Sequence, residues 1–131
     1  MAPGRTICVP WIRGPNFIAL HELFDQVHGN IEQHVDTIAE RITALGGTAH
    51  GTVQAAASAS SLAPYPQNIS AGVEHLEALA ERLADFGKKI RAEIQLADEL
   101  GDADTADLFT GVSRDSDKFL WFLEAHLQGK R

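Results

Sequence analysis

"NFIALHELFDQVHGNIEQHVDTIAERITAL", residues 16–45, decides the fold class. Its apolar positions, Phe17, Leu20, Phe24, Val27, Ile31, Val35, Ile38, Ile42 and Leu45, step by three or four throughout. An α-helical turn takes about 3.6 residues, so this spacing predicts one long amphipathic helix with a narrow apolar seam. Asn16 stands where an N-cap belongs, behind Gly14-Pro15, and Gly46-Gly47 ends the run.

Outward from that helix, residues 48–69 break the period. They are small and polar, carry Pro64 and Pro66, and leave room for a short helix in "TVQAAASAS". A second long helix is expected from Ser70 to Leu100, with Val73, Leu76, Leu79, Leu83, Phe86, Ile90, Ile94 and Ala97 as its seam and Gly101 as its stop. A third follows, capped by Asp104 with Asp107 close behind, and runs through Leu108, Val112, Phe119, Phe122 and Leu123 to Gly129. "KFLWFL" is apolar nearly all round, which places Phe119 and Trp121 in the core. No strand pattern competes. Three long helices with narrow seams predict an all-α bundle, most often of four. Pro3, Gly4 and Pro10 leave no space for a long helix before Gly14. Residues 1–15 therefore read as irregular within a single domain spanning 1–131, and the fourth element is expected from another chain or from sequence ahead of Met1.

The chain has 131 residues, 44% hydrophobic and 22% charged, which suits one soluble domain. No apolar run reaches the length of a membrane span, and the N-terminus has no secretory pattern. Cys8 is the only cysteine, so no intrachain disulfide forms and a cytoplasmic location is expected. The net charge of −7 repels phosphate backbones on average and attracts metal cations.

The first helix also carries four ligand-type residues, His21, Asp25, Asp36 and Glu40. On a helix advancing about 100° per residue they share one face, spread over an arc of about 100° centred away from the seam. Within each pair the i, i+4 spacing stacks two side chains so that both reach one cation. Between pairs the helix rise is roughly 16 Å from Asp25 to Asp36 and roughly 28 Å from His21 to Glu40, too far to share an ion. Yet both pairs are symmetric about the point between Asn30 and Ile31. A second copy laid antiparallel across a two-fold axis there sets His21 against Glu40, and Asp25 against Asp36, in two equivalent sites. Gly29 near that axis permits close approach. Three carboxylates and one imidazole suit iron, manganese or another divalent cation. Solvated charge alone is the competing explanation of any one of these residues; the shared face and mirrored spacing favour metal.

These residues also carry a family resemblance. "WIRGPNFIALHELFDQ", "HVDTIAER" and "LGG", with "PYPQNIS" and "DTADLFTGVSRDSDKFLWFLEAHL" further on, resemble the Dps family, the DNA-protecting miniferritins of starved bacteria. The likeness covers about residues 11–128. It implies a ferritin-like four-helix bundle assembled as a hollow dodecamer from two-fold dimers. It further implies oxidation of iron(II), preferably by hydrogen peroxide, with ferric mineral stored inside, no organic cofactor, and in many members DNA binding. By the same resemblance, His21 and Asp25 are ligands from one subunit, and Asp36 and Glu40 from the other. The family has a histidine twelve positions before His21, where Val9 stands, and a first helix unlike "MAPGRTICVP". A site short of that imidazole implies weaker iron oxidation.

The resemblance makes Asp102, Asp104 and Asp107 candidate pore acids at the start of the last helix, though capping explains Asp104 and Asp107 equally well. Arg114, Asp115 and Asp117 read as inter-element ion pairs, and His28, His34, His50, His75 and His126 as surface or boundary residues. No phosphate-cradling glycine loop or paired zinc-type cysteines occur. Arg5 and the terminal "GKR" are the only basic ends, so DNA contacts are expected to be weak, salt-sensitive or absent. Two alternatives stand beside iron oxidation. One is a DNA-compacting structural protein with an impaired metal site, recognised by salt-dependent plasmid retardation without iron chemistry. The other is a plain helical interaction module, inert in both assays.

Overall fold

The computed structural model describes residues 12–129. Four α-helices follow in order: α1 (Phe17–Ala44), α2 (Val53–Ala59), α3 (Gly72–Glu99) and α4 (Ala103–Gln128). The three long helices thus fall within two residues of the expected boundaries, and α2 is the short helix foreseen in the Ala/Ser-rich connection. The expectation of no long helix before Gly14 rests largely on residues 1–11, which lie outside the described residues.

The helix ends show how local sequence sets these limits. Asn16 occupies the N-cap position of α1 without a side-chain bond. Backbone carbonyls serve instead, with Phe17 N–H donating to Gly14 O at 3.2 Å and Leu20 N–H to Asn16 O at 3.0 Å. At α4 the cap is Asp102, correcting the expected Asp104. Gly101, at φ +74°, turns the chain in the left-handed region that glycine tolerates, which delivers Asp102 to the helix start. Its Oδ1 accepts Thr105 N–H at 3.0 Å and its Oδ2 accepts the Thr105 hydroxyl at 2.6 Å. Asp104 lies inside the first turn, where its charge still meets the positive end of the helix dipole.

Long-range polar bonds fix the topology. Arg13 N–H donates to Ser70 O at 3.0 Å, which sets the starts of α1 and α3 side by side. Arg41 Nη2 donates to Asp102 Oδ1 at 2.8 Å, which sets the end of α1 beside the start of α4. Hence α1 runs parallel to α3 and antiparallel to α4, and residues 45–71 must traverse the length of the bundle. One long crossover of this kind is the ferritin-like connectivity. Lys89 Nζ holds the crossover by Ser61 O at 3.1 Å, and Arg82 holds it by the carbonyls of Ala63 and Pro64.

The core forms where the three long helices meet: Leu20, Leu23, Phe24 and Val27 of α1, Leu76 and Leu83 of α3, and Phe119 and Leu123 of α4. Of the α1 seam only Leu20, Phe24 and Val27 are buried, and Phe17 at its start is exposed. Ile31, Val35, Ile42 and Leu45 stay exposed, because beyond Val27 α1 meets α4 through polar ties. Trp121 is 62% exposed, correcting its expected place in the core. With Phe119 and Leu123 turned inward at i, i+4, a residue two positions from either points about 200° away.

His75 is also corrected: it is fully buried. The Tyr65 hydroxyl lies 3.0 Å from its Nδ1, and the two rings stack at 6.0 Å, so the crossover seals this histidine onto α3. Its Nε2 has no hydrogen-bond partner among the described residues. Loss of solvent around the imidazolium lowers the pKa from the ordinary 6.5, against a smaller opposing pull from Glu74 and a backbone bond at Ile69. A depressed folded value means that this stability is complete above pH 6.5 and is lost as pH falls through the folded pKa. Chemical denaturation of the wild type should therefore show stability falling as pH drops below 6.5, and His75→Gln, which cannot charge, should show a shallower decline. The carboxylates of Asp102 and Asp115 titrate below their ordinary 3.8, in a separate window. Parallel slopes for the two proteins immediately below pH 6.5 would contradict the assignment.

Candidate metal centre

All four expected ligands lie on α1, an unbroken helix from Phe17 to Ala44, so the axial separations expected from helix rise hold in the fold. His21 Nδ1 stands 3.4 Å from Asp25 Oδ2, with both side chains 48% exposed. Two ligand atoms each about 2.1 Å from one cation at a tetrahedral angle lie roughly 3.4 Å apart, so this pair is spaced for a shared ion. Phe17 supports the arrangement by an edge-on contact with the His21 ring at 5.6 Å. Asp36 and Glu40 are exposed, and neither has a hydrogen-bond or ion-pair partner among the described residues. The structure brings His21 and Asp25 together and leaves Asp36 and Glu40 at the other end of α1. No three metal-ligating side chains converge among the described residues of one chain.

The surroundings of the ligand face matter as much as the ligands. Ile31, Val35 and Ile42 are 36%, 62% and 38% exposed. In projection down the helix axis all three fall directly beside the ligand stripe, along the edge that His21 marks. One side of α1 therefore presents a row of acids and imidazoles alongside an uncovered aliphatic row. At Gly29 an added Cβ would meet nothing within 4 Å.

Of the three candidate pore acids, Asp102 is engaged. Bonds from the Thr105 hydroxyl and backbone N–H, then the Arg41 charge, hold its carboxyl below the usual range. Asp104 and Asp107 are exposed on the first turns of α4. Arg114 makes none of the expected ion pairs among the described residues. Asp117 pairs with Arg91 at 3.1 Å instead. Asp115 accepts from Asn30 Nδ2 at 2.7 Å and lies 2.8 Å from His34 Nε2, which buckles the middle of α1 to α4. The Asn30 bond is the main cause of a lowered Asp115 pKa, assisted by His34. These partners are separated by 81 and 85 residues, and no local pattern announces them. His28 and Glu32 also form an i, i+4 pair, at 4.0 Å, which the spacing alone could have revealed. Val9, where the resemblance puts a family histidine, lies outside the described residues. Among the described residues no helix is long and apolar enough to cross a membrane.

Comparison with known proteins places this geometry in context. The model of the ferritin-like domain matches residues 9–131. The "DNA protection during starvation protein" of Agrobacterium fabrum is 51% identical over 119 residues, covering 91% of this chain and 74% of that protein. The protein of the same name from Brevibacillus brevis is 31% identical over 117 residues, covering 89% of this chain and 78% of its own length. Among solved structures, Dps from Staphylococcus aureus superposes with a TM-score of 0.84 at 29% identity, covering 89% of this chain and 78% of that one.

Proposed function

Because this chain belongs to the Dps family of ferritin-like proteins, we propose that it oxidises iron(II) with hydrogen peroxide at sites completed between two copies of the chain. The ferric product is stored within the assembly, a dodecamer of two-fold dimers, and DNA is spared the damage that free iron(II) and peroxide cause together.

One observation carries this reading: α1 presents two ligand pairs at its opposite ends on one exposed face, flanked by the exposed Ile31, Val35 and Ile42. A lone chain has no use for two half-sites or for an uncovered aliphatic row. An antiparallel second copy completes the first and buries the second. His21 and Asp25 of one copy then hold iron(II), the substrate, together with Asp36 and Glu40 of the other. The carboxylates stabilise the higher charge of iron(III) more than that of iron(II), which lowers the barrier to electron loss.

The reaction balances as two iron(II) ions giving one electron each to one hydrogen peroxide. The O–O bond breaks, and with two waters the products are two ferric oxyhydroxide units and four protons. Peroxide is thereby reduced without releasing a hydroxyl radical. Protection reaches DNA through this chemistry in the cytoplasm, since a body of net charge −7 makes direct contacts with phosphate weak and salt-sensitive.

Mixing the purified protein with iron(II) and limiting peroxide tests the reading. Soluble ferric product should form faster than in a protein-free control, with two irons consumed per peroxide and a hydroxyl-radical trap left unreacted. A rate equal to the control, or one iron per peroxide with trapped radical, would overturn it.

A further inference from the structure

The two halves of α1 are held to the bundle by different means. Leu20, Leu23, Phe24 and Val27 anchor it in the apolar core, and no residue from His28 to Ala44 is buried. The second half is tied to α4 by hydrogen bonds. Asn30 Nδ2 donates to Asp115 Oδ2 at 2.7 Å, and His34 Nε2 lies 2.8 Å from the same oxygen. Further along, Arg41 donates through Nε to Thr105 Oγ1 at 2.9 Å and through Nη2 to Asp102 Oδ1 at 2.8 Å. At about 100° per residue, Asn30, His34 and Arg41 fall within an arc of about 40°, centred about 150° from the middle of the ligand arc. Ties to α4 on one side of the helix thus set where Asp36 and Glu40 face on the other. We propose, on the reading that each iron site is shared between two copies, that Asp115 is a positioning residue: by clasping Asn30 and His34 it aims the Asp36–Glu40 pair at His21 and Asp25 of the other copy.

Leverage is what makes the clasp matter. Glu40 lies roughly 20 Å beyond Val27 along the axis, so a tilt of about 3° there moves it by about 1 Å. A misplacement of about 1 Å can cost a reaction about 100-fold in rate. Gly29, two positions past Val27, is the most pliant residue of this stretch, and nothing lies within 4 Å of where its Cβ would stand. Just beyond it, two bonds converge on one oxygen from residues one turn apart, which resists both tilt and rotation. Arg41 ties the far end through a long side chain with many rotamers, whereas Asn30 and Asp115 are short and hold the helices at a set distance. His21 and Asp25 need no such help, because Leu20, Leu23 and Phe24 beside them are fixed in the core. Asp115 therefore serves the Asp36–Glu40 pair of its own chain and not the His21–Asp25 pair.

Placing one substitution in either of two complementary chains tests this. A chain with His21→Ala and Asp25→Asn, assembled with one carrying Asp36→Asn and Glu40→Gln, rebuilds one site in each mixed pair. Asp115→Ala in the first chain, which supplies the working Asp36–Glu40 pair, should lower the restored iron(II) oxidation at least about tenfold. In the second chain, whose own pair is already removed, it should leave that rate unchanged. A merely structural defect would cost the same in either chain. Asp115→Asn in the first chain should return most of the lost rate, since its amide oxygen can stand where Oδ2 accepts both bonds. Hydrogen exchange of Asp115→Ala in the otherwise wild-type chain should quicken across residues 28–44 and hold steady across 17–27. Equal losses in the two placements, no loss in the first, a loss with Asn as large as with Ala, or unchanged exchange across 28–44 would overturn the inference and leave the proposed function standing. No restored oxidation in the parent mixture would overturn both.

Discussion

Replacing Asp36 by Asn together with Glu40 by Gln slows peroxide-dependent iron(II) oxidation at least about tenfold, since even groups that merely support metal ligands cost 10- to 100-fold when removed. His21→Ala with Asp25→Asn produces a loss of the same size, although these residues lie at the opposite end of α1. Equal losses follow from the proposed sites, in which each takes one pair from each copy, so that damage to either pair removes every site. Stability is little affected. The four side chains sit on an exposed helix surface, and substitutions there usually stay within about 0.5 kcal/mol. Stopped-flow oxidation rates beside thermal melts separate the two effects. An unchanged rate in either double variant would show that its pair is not a ligand pair.

Leu123→Ala has the largest expected effect on folding, a loss of about 2–5 kcal/mol. Leu123 is fully buried and belongs to the cluster that joins α1, α3 and α4 through Leu20, Phe24, Leu76, Leu83 and Phe119. Removing three carbons there forfeits their transfer from water and leaves a cavity that three rigid helices cannot all close. Whole domains are stable by only about 5–15 kcal/mol, so the loss takes a large share of the total. Urea denaturation at one fixed chain concentration measures it, the concentration being held because assembly and stability are linked. A cost below about 1 kcal/mol would mean that the helices do not converge on this residue.

The helices were legible because their information is local. A seam stepping by three and four, the breaks at Gly46-Gly47 and Gly101, and the proline-bearing crossover needed no distant partner to be read. The i, i+4 spacings of His21 with Asp25 and of Asp36 with Glu40 were legible for the same reason, since they lie on one helix. Burial was harder, because it depends on which helix arrives on which side. The seam of α1 is one continuous pattern, yet it is buried only as far as Val27, where contact with α4 turns polar. Trp121 sits in the most apolar stretch of α4 and still faces outward. His75 looks like any surface histidine until the crossover closes Tyr65 over it. The His34–Asp115 tie and the Asp102 cap with its Arg41 partner depend on chain reversals that no short window contains.

Assembly across a two-fold axis is open to direct measurement by complementation. One copy carries His21→Ala with Asp25→Asn, the other Asp36→Asn with Glu40→Gln, and the two are expressed together under different tags and purified through both. Each alone is nearly inactive. Random pairing makes half of the pairs mixed, and each mixed pair rebuilds one of its two sites, so about a quarter of wild-type iron(II) oxidation should return. Activity in the mixed assembly no higher than in either variant alone would show that the two ends of α1 do not meet across copies.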